Sequence, residues 1–383
     1  MIDTTHRAWA TIDLHALKKN LSQVSVYCPD AQIVPVIKAN AYGHGIEQVA
    51  NALQSAHTKC AAFAVASLAE ALQLRALGIN LPLLLLSGFR DREEMDICLN
   101  HKIEPVVHSM YQFEIIEEYL QTEILSGVGR IWVKFNSGMN RLGLNREQAL
   151  QVYGDLHRHP ETKVVLMSHL ASADELENPS GMELTRRQIE EFDSFRQLLA
   201  DSTQGPVEAS FAASSGVLEY PQTHHQYLRP GFMLYGGSPF LNRSAEELGL
   251  LPVMTLRAQI IAINDVDRGA TIGYGATHRC EHSTRVGIVS IGYGDGYPRS
   301  ARNGTPVVVK TLAGPRRTGI LGRVSMDTIA IDLSALATAV VGDEVVLWGD
   351  GLSADEVARY ADTIAYELFC QVTQRVEFIY TDE

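Results

Sequence analysis

Short apolar runs recur along the first 235 positions, at 33–37, 62–66, 83–87, 103–107, 131–135, 163–168, 208–212 and 227–235. Each is rich in Val, Ile and Leu, as expected of strands buried on both faces. Between most of them lie stretches with helical spacing of apolar residues, at 45–56, 67–77, 91–100, 110–121, 146–158, 183–200 and 214–219. Strands alternating with helices imply right-handed crossovers and a parallel sheet, and eight such units suggest closure into a (β/α)8 TIM-type barrel. A doubly wound open sheet is the alternative. Pro35 and Pro230 fall inside strand runs and weaken two of them, because proline removes a ladder donor. Ahead of the barrel, 7–13 alternates like a strand and 14–26 carries a helical pattern.

From about Leu250 the cadence changes. Strand-like runs at 255–263, 284–291, 305–310, 319–323, 329–333 and 343–347 are separated by Gly, Asn and Asp turns and predict an all-β second domain. Ser353-Ala354-Asp355-Glu356 reads as a capping-box-like helix start ending near Tyr360, and 361–368 suggests another helix. The polar stretch 242–247 marks the boundary, giving a barrel over 11–245 and a β domain over 246–383, with residues 1–10 expected to pair with the second domain.

A chain of 383 residues is long for one core, so two domains are expected. Its 32 Lys and Arg against 45 Asp and Glu leave a net charge of −13, which repels nucleic acid and anionic membrane surfaces and favours a small-molecule partner. The five cysteines are widely spaced without a C-x-x-C pair, so neither a disulfide framework nor a metal site is expected, as suits a reducing cytosol. The N-terminus lacks a basic segment followed by an apolar one, and no run approaches the roughly 20 apolar residues of a spanning helix. A soluble, cytoplasmic protein is expected.

In a barrel, chemistry gathers where strands end. Lys38 ends the first run, and Lys134 lies in the fifth with Arg141 just beyond it. His169 follows the sixth, Ser214 the seventh, and Arg229-Pro230-Gly231 opens the eighth. Lysine suits covalent work because burial and neighbouring charge free its amine, whereas guanidinium stays protonated. Taken singly, each residue has a plainer reading: a solvated lysine at a strand end, a histidine satisfied within the structure, an arginine paired with an aspartate. Their recurrence at successive strand ends argues against accident.

The run Val36-Ile37-Lys38-Ala39-Asn40-Ala41-Tyr42-Gly43-His44-Gly45 resembles the pyridoxal-phosphate attachment motif of the bacterial alanine racemases, and the resemblance extends to Tyr380 through several further motifs. It implies that Lys38 binds pyridoxal 5'-phosphate, that Tyr42, Ser214, Tyr366 and the backbone of Gly231 and Phe232 hold its phosphate, and that Arg229 faces the pyridine nitrogen. A donor-only guanidinium leaves that nitrogen unprotonated and weakens the ring as an electron sink, which suits racemisation. Arg141 is implied to contact the cofactor's phenolic oxygen and the substrate carboxylate. Lys134 occupies a position often carbamylated in the family, but Asn136 stands where the family has Asp, leaving either a carbamate or an anion such as chloride to support Arg141.

The second domain carries Ile272-Gly273-Tyr274-Gly275, a Gly-rich run from Ile291 to Arg299, and Gly322-Arg323-Val324-Ser325-Met326-Asp327. By resemblance, Tyr274 is the second acid/base, Met326 lies at the substrate carboxylate, and Tyr293 and Arg299 line the entrance; for Tyr297, β-turn packing is the better reading. Tyrosine, with a pKa near ~10, needs nearby positive charge to act as a base, and His169 with Arg229 behind it is expected to supply this. The resemblance implies an enzyme that interconverts L- and D-alanine by two bases, Lys38 and Tyr274, in a homodimer whose sites combine both chains, for peptidoglycan supply or D-alanine catabolism. A racemase of larger amino acids, a decarboxylase of similar plan and a non-catalytic pyridoxal-phosphate carrier are the rivals. The second-domain motifs count against the last two.

Overall fold

The computed structural model describes residues 7–56, 60–120, 125 and 128–382. Eight parallel strands form the barrel: β2 (Gln32–Ile33), β3 (Phe63–Val65), β4 (Leu83–Leu85), β5 (Ile103–Val107), β6 (Arg130–Lys134), β7 (Lys163–Met167), β8 (Ala209–Ser210) and β9 (Tyr227–Leu228). Strands β3 to β8 pair in sequence order, and β2 pairs with β9. Parallel bridges Ile33↔Cys60 and Val36↔Ala64 join β2 to β3, and Arg229 N donates to Ala212 O at 3.0 Å beside β8, closing the ring. This closure rules out the open sheet.

The two prolines cut strand length without breaking the ring. Even positions of the first strand face β9, with Val34 N on Leu228 O at 2.8 Å and Val36 N on Pro230 O at 2.9 Å. Odd positions face β3, where Pro35 lacks a donor yet its carbonyl accepts from Ala64 N at 2.9 Å. The run 227–235 is not one strand: β9 ends at Leu228, so Arg229 follows the eighth strand instead of opening it, and Phe232–Tyr235 coils into a 3-10 turn.

The outer helices are set by local chemistry. α1 (Leu14–Tyr27) is capped by Asp13, whose carboxylate accepts from Ala16 N at 2.8 Å. α3 (Ile46–Ser55), α4 (Leu68–Ala76), α5 (Arg92–Asn100), α6 (Met110–Leu120), α7 (Arg146–His157) and α9 (Ser214–Glu219) follow the predicted positions, position 121 lying outside the described residues. Ser67 with Glu70, and Asn145 with Gln148, form capping boxes at α4 and α7. α8 (Pro179–Thr203) starts earlier than expected, because Asn178 caps it and Pro179 sits in its first turn, where no N–H is needed.

Eight further strands make the second sheet: β1 (Ala8–Asp13), β10 (Met254–Val266), β13 (Thr284–Val289), β14 (Pro306–Thr311), β15 (Gly314–Leu321), β16 (Ile329–Asp332), β17 (Glu344–Trp348) and β18 (Glu377–Thr381). Its order is β13-β16-β15-β14-β17-β10-β1-β18, and β10 also pairs with β13 past a register shift between Ile260 and Ala262, curling six strands into a closed ring. β1 lies between β10 (antiparallel) and β18 (parallel) through Asp13, so residues 8–13 are built into this sheet, while positions 1–6 of the expected pairing segment lie outside the described residues. β11 (Thr271–Ile272) and β12 (His278–Arg279) form a small ribbon, and α10 (Ala354–Tyr360) and α11 (Ala365–Gln371) pack together. Among the described residues, no helix is long and apolar enough to cross a membrane.

Candidate active site

Hydrogen bonds carry the extended chain from β2 to Ile37, and Lys38 is the first residue of α2 (Lys38–Tyr42), not the last of the strand. That segment winds the wrong way. Ala39, Asn40, Ala41 and Tyr42 have φ of 52°, 54°, 55° and 53°, four successive non-glycine residues in the left-handed region. Each L-residue there costs roughly 1–2 kcal/mol, somewhat less for Asn. The turn persists because its polar groups are satisfied: Gly43 N donates to Ala39 O at 2.9 Å, Gly45 N to Asn40 O at 3.0 Å and Ile46 N to Asn40 Oδ1 at 2.9 Å. Glu70 accepts from Ala39 N at 2.7 Å while also accepting from Ala66 N and Ser67 N at 2.8 and 3.0 Å.

A cavity of about 490 Å³ opens at the mouth where the barrel strands end. Lys38 and Tyr42 line it from the turn after β2, Lys134 from the end of β6, Arg141 from the following loop and His169 from beyond β7. Ser214 enters from α9, Arg229, Gly231 and Phe232 from beyond β9, and Tyr366 from α11. Four cations therefore face a cavity whose only lining carboxylate among the described residues is Asp174.

Burial first, and this imbalance after it, lower the pKa values of Lys38, Lys134 and His169. Burial, then Arg141, lowers the Lys38 pKa against the opposing pull of Glu70. Burial and the charges of Arg229, Arg141 and Lys38 bring Lys134 down to about 8. The His169 pKa falls to about 3, through burial and then Arg229, Lys134, Arg141 and Lys38. The imidazole is therefore neutral at pH 7, which corrects the expectation that His169 carries positive charge. Burial lowers Arg229 only to about 10, so it remains charged. Its partners are neutral: it donates to Ser210 Oγ and, at 2.5 Å, to Ser168 O, in place of the aspartate that a purely structural arginine was expected to find.

On the opposite wall, Ser214 Oγ accepts from Gly231 N and Met233 N at 3.1 and 3.2 Å. A Cβ on Gly231 would stand 2.6 Å from Tyr42 Oη, so glycine keeps the space beside that phenol open. Phe232 begins the 3-10 turn, where an amide has no partner within the turn, and it stacks on Tyr366 at 3.6 Å. Three hydroxyls and a free turn amide around a glycine-kept gap, faced by four cations, fit the phosphate and aldehyde ends of pyridoxal phosphate.

Asn136 turns away from Lys134 into the loop that carries Arg141. Its Oδ1 accepts from Gly138 N at 3.2 Å and Asn140 N at 3.0 Å, and its Nδ2 donates to Asn140 Oδ1 at 3.0 Å. The second-domain candidates stand apart. Tyr274 is 71% exposed and Met326 53% exposed, and neither lines the cavity of its own chain. Gly294 N donates to Met326 O at 2.9 Å and Tyr293 N to Ser325 O at 3.0 Å, joining these loops into one surface. Tyr297 is buried in the core, as the packing reading expected.

Residues 12–239 match the model of the alanine racemase N-terminal domain, and residues 253–380 that of the alanine racemase C-terminal domain. The chain belongs to the alanine racemase family. It is 44% identical to the alanine racemase of Vibrio vulnificus strain CMCP6, over 98% of this chain and 99% of that one. The crystal structure of the biosynthetic alanine racemase from Pseudomonas aeruginosa superposes with a TM-score of 0.88 at 40% identity, covering 98% of this chain and all (100%) of the other. The Acinetobacter baumannii alanine racemase gives 0.90 at 37% identity, with the same coverage of 98% and 100%. The Bartonella henselae alanine racemase, solved with covalently bound pyridoxal phosphate, gives 0.83 at 27% identity over 98% of this chain and 99% of that one. The activity is accordingly that of an alanine racemase, an isomerase of L- and D-alanine.

Within this member of the alanine racemase family, three side chains that sequence reasoning passed over support the site. Glu70 is one, legible only as the fourth residue of the Ser67-Leu68-Ala69-Glu70 box. Gln188, buried on α8, donates to His169 O at 3.0 Å and accepts from Ala171 N at 2.8 Å, tying down the loop after β7. Arg375 pairs with Asp295 at 3.1 Å and Asp327 at 2.7 Å, bracing the loop of Met326. Neither Gln188 nor Arg375 sits in a pattern that would mark it in the sequence.

Proposed function

We propose that the enzyme uses pyridoxal 5'-phosphate and two opposed acid/base groups, Lys38 on one face of Cα and Tyr274 of the partner subunit on the other, within a cytoplasmic homodimer. The observation that carries this is the collection of four cations at one barrel mouth with a single carboxylate, an arrangement that calls for an anionic cofactor and an anionic substrate. When bound, the cofactor supplies an electron-withdrawing ring that acidifies the substrate's Cα–H. Tyr42, Ser214, Tyr366 and the amides of Gly231 and Phe232 would hold its phosphate, and Arg229 would face its ring nitrogen.

Within that frame the chain's own residues do the proton work. Lys38, its pKa lowered by burial and then Arg141, is the amine placed to take or return a proton on one face. Arg141 reads the substrate carboxylate as a fork of donors, with Met326 of the partner subunit beside it. Tyr274 takes the other face. With His169 neutral, the positive field that a phenolate needs falls to Arg229 and Arg141. The exposure of Tyr274 on its own chain supports a composite site, since such a phenol acquires an active-site environment only from another surface. The units proposed are a barrel over 11–245, less residues 11–13, which β1 gives to the second sheet, and a β domain over 246–383; the D-alanine formed would serve peptidoglycan or be catabolised in the reverse sense.

Solvent exchange at Cα tests the two-base scheme. Tyr274→Phe should slow deuterium wash-out from L-alanine by at least the ~10²-fold typical of losing a general acid/base, while wash-out from D-alanine survives better. Equal loss from both enantiomers would remove Tyr274 as a face-specific base.

A further inference from the structure

His44 lies outside the cavity and takes no part in the scheme above, yet it is fully buried. Its Nδ1 stands 2.9 Å from Tyr42 O and 3.1 Å from Ala41 O. Carbonyls only accept, so Nδ1 carries the proton and Nε2 is the bare nitrogen. Among the described residues, Nε2 has no hydrogen-bond partner. The Nδ1–H is therefore the one hydrogen-bonding group by which this ring is tied to the described residues.

What that bond holds is the left-handed turn. Among the described residues, no other side-chain donor reaches the carbonyl oxygens of positions 38–42. The ring is itself fixed, packed against Tyr235 at 4.6 Å and edge-on to Phe369 at 5.1 Å. Tyr235 in turn stacks on Tyr42 at 4.8 Å, and its hydroxyl donates to Val36 O at 3.1 Å, two positions before Lys38. The array grips the chain on both sides of the lysine.

We propose that His44 is a positioning residue that holds the left-handed turn, and through it Lys38 and the Tyr42 hydroxyl, ready for cofactor capture. The inference rests on the function proposed above. Burial lowers the His44 pKa to about 4, so the donor that the clamp needs is the neutral ring present at working pH.

Two substitutions in the full-length enzyme separate donor from ring. His44→Phe keeps an aromatic ring and removes the donor, whereas His44→Asn places an amide N–H at the same distance from Cβ and removes the ring. In His44→Phe, amide hydrogen exchange over 39–45 should accelerate about tenfold, and capture of added pyridoxal phosphate by the stripped enzyme should weaken about tenfold, as for loss of one buried hydrogen bond. KM for alanine in the loaded enzyme should barely move. His44→Asn should recover part of both losses. Wild-type exchange and capture in His44→Phe, or no recovery in His44→Asn, would overturn the clamp. Should His44→Phe not fold, Tyr235→Phe removes only the bond to Val36 O, and unchanged exchange over 36–45 would overturn the array. A wild-type enzyme that captures no pyridoxal phosphate would sink the proposed function instead, while the exchange data would still decide the clamp.

Discussion

Lys134 concentrates the electrostatic problem of the cavity in one amine. Its pKa is lowered from 10.5 to about 8, so between those values the folded chain binds fewer protons than the unfolded one. Stability contributed by this group therefore rises with pH through that window and is a penalty below it. Near pH 8 about half of the amine is neutral, and neutral amine adds carbon dioxide and releases a proton to solvent, leaving a carbamate anion. That reaction would replace a cation with an anion beside Arg141, Arg229 and Lys38. Asn136, engaged with Gly138 and Asn140, leaves Lys134 free to react. Bicarbonate at pH 8 should raise Tm by a few degrees, the size of about 1 kcal/mol in a large domain, with no effect in Lys134→Met and little at pH 6. A Tm that responds to chloride and not to bicarbonate would favour the halide instead.

At the scale of elements, the turn at α2 and the helix α11 meet at Gly43. Its φ is +79°, and a Cβ there would stand 2.1 Å from Phe369 O. Gly43→Ala must either unwind the turn that presents Lys38 or push back the helix that carries Tyr366. Gly78 has the same φ of +79° with nothing within 4 Å, so Gly78→Ala measures backbone strain alone. We expect Gly78→Ala to cost on the order of 1 kcal/mol and Gly43→Ala clearly more, read as a larger fall in urea midpoint at unchanged slope. Equal falls would mean that the approach of α11 to the turn is looser than the geometry indicates.

For the whole molecule, the decisive feature is that one chain holds the two proposed bases far apart in environment: Lys38 lines the barrel mouth and Tyr274 stands 71% exposed on the β domain. If sites are shared between subunits, inactive Lys38→Ala and Tyr274→Phe chains mixed at random should rebuild roughly a quarter of the sites. Activity that stays at the level of the separate variants after subunit exchange would place both residues in one chain's site. The sheet also joins residues 9–13 to 377–381, because β1 lies beside β18.

Much of the architecture is local enough to be written along the chain. Parallel strands covered on both faces need unbroken apolar runs, so β3 to β7 can be read directly, whereas the capping boxes at Ser67 and Asn145 were passed over. The gathering of Lys38, Arg141, His169 and Arg229 at one mouth was equally legible, because a closed parallel barrel brings all of its strand ends to one face. The left-handed turn was not: L-residues avoid that conformation, and only the contacts of Asn40, His44 and Glu70 hold Ala39, Ala41 and Tyr42 in it. Nor was the neutral state of His169, which depends first on burial and then on cations delivered by the end of β6 and the segments after β2, β6 and β9. A residue's type and its neighbours in sequence set its intrinsic conformational and acid–base preferences. Strain and charge state are decided by groups far away in sequence, which only closure of the barrel brings within reach.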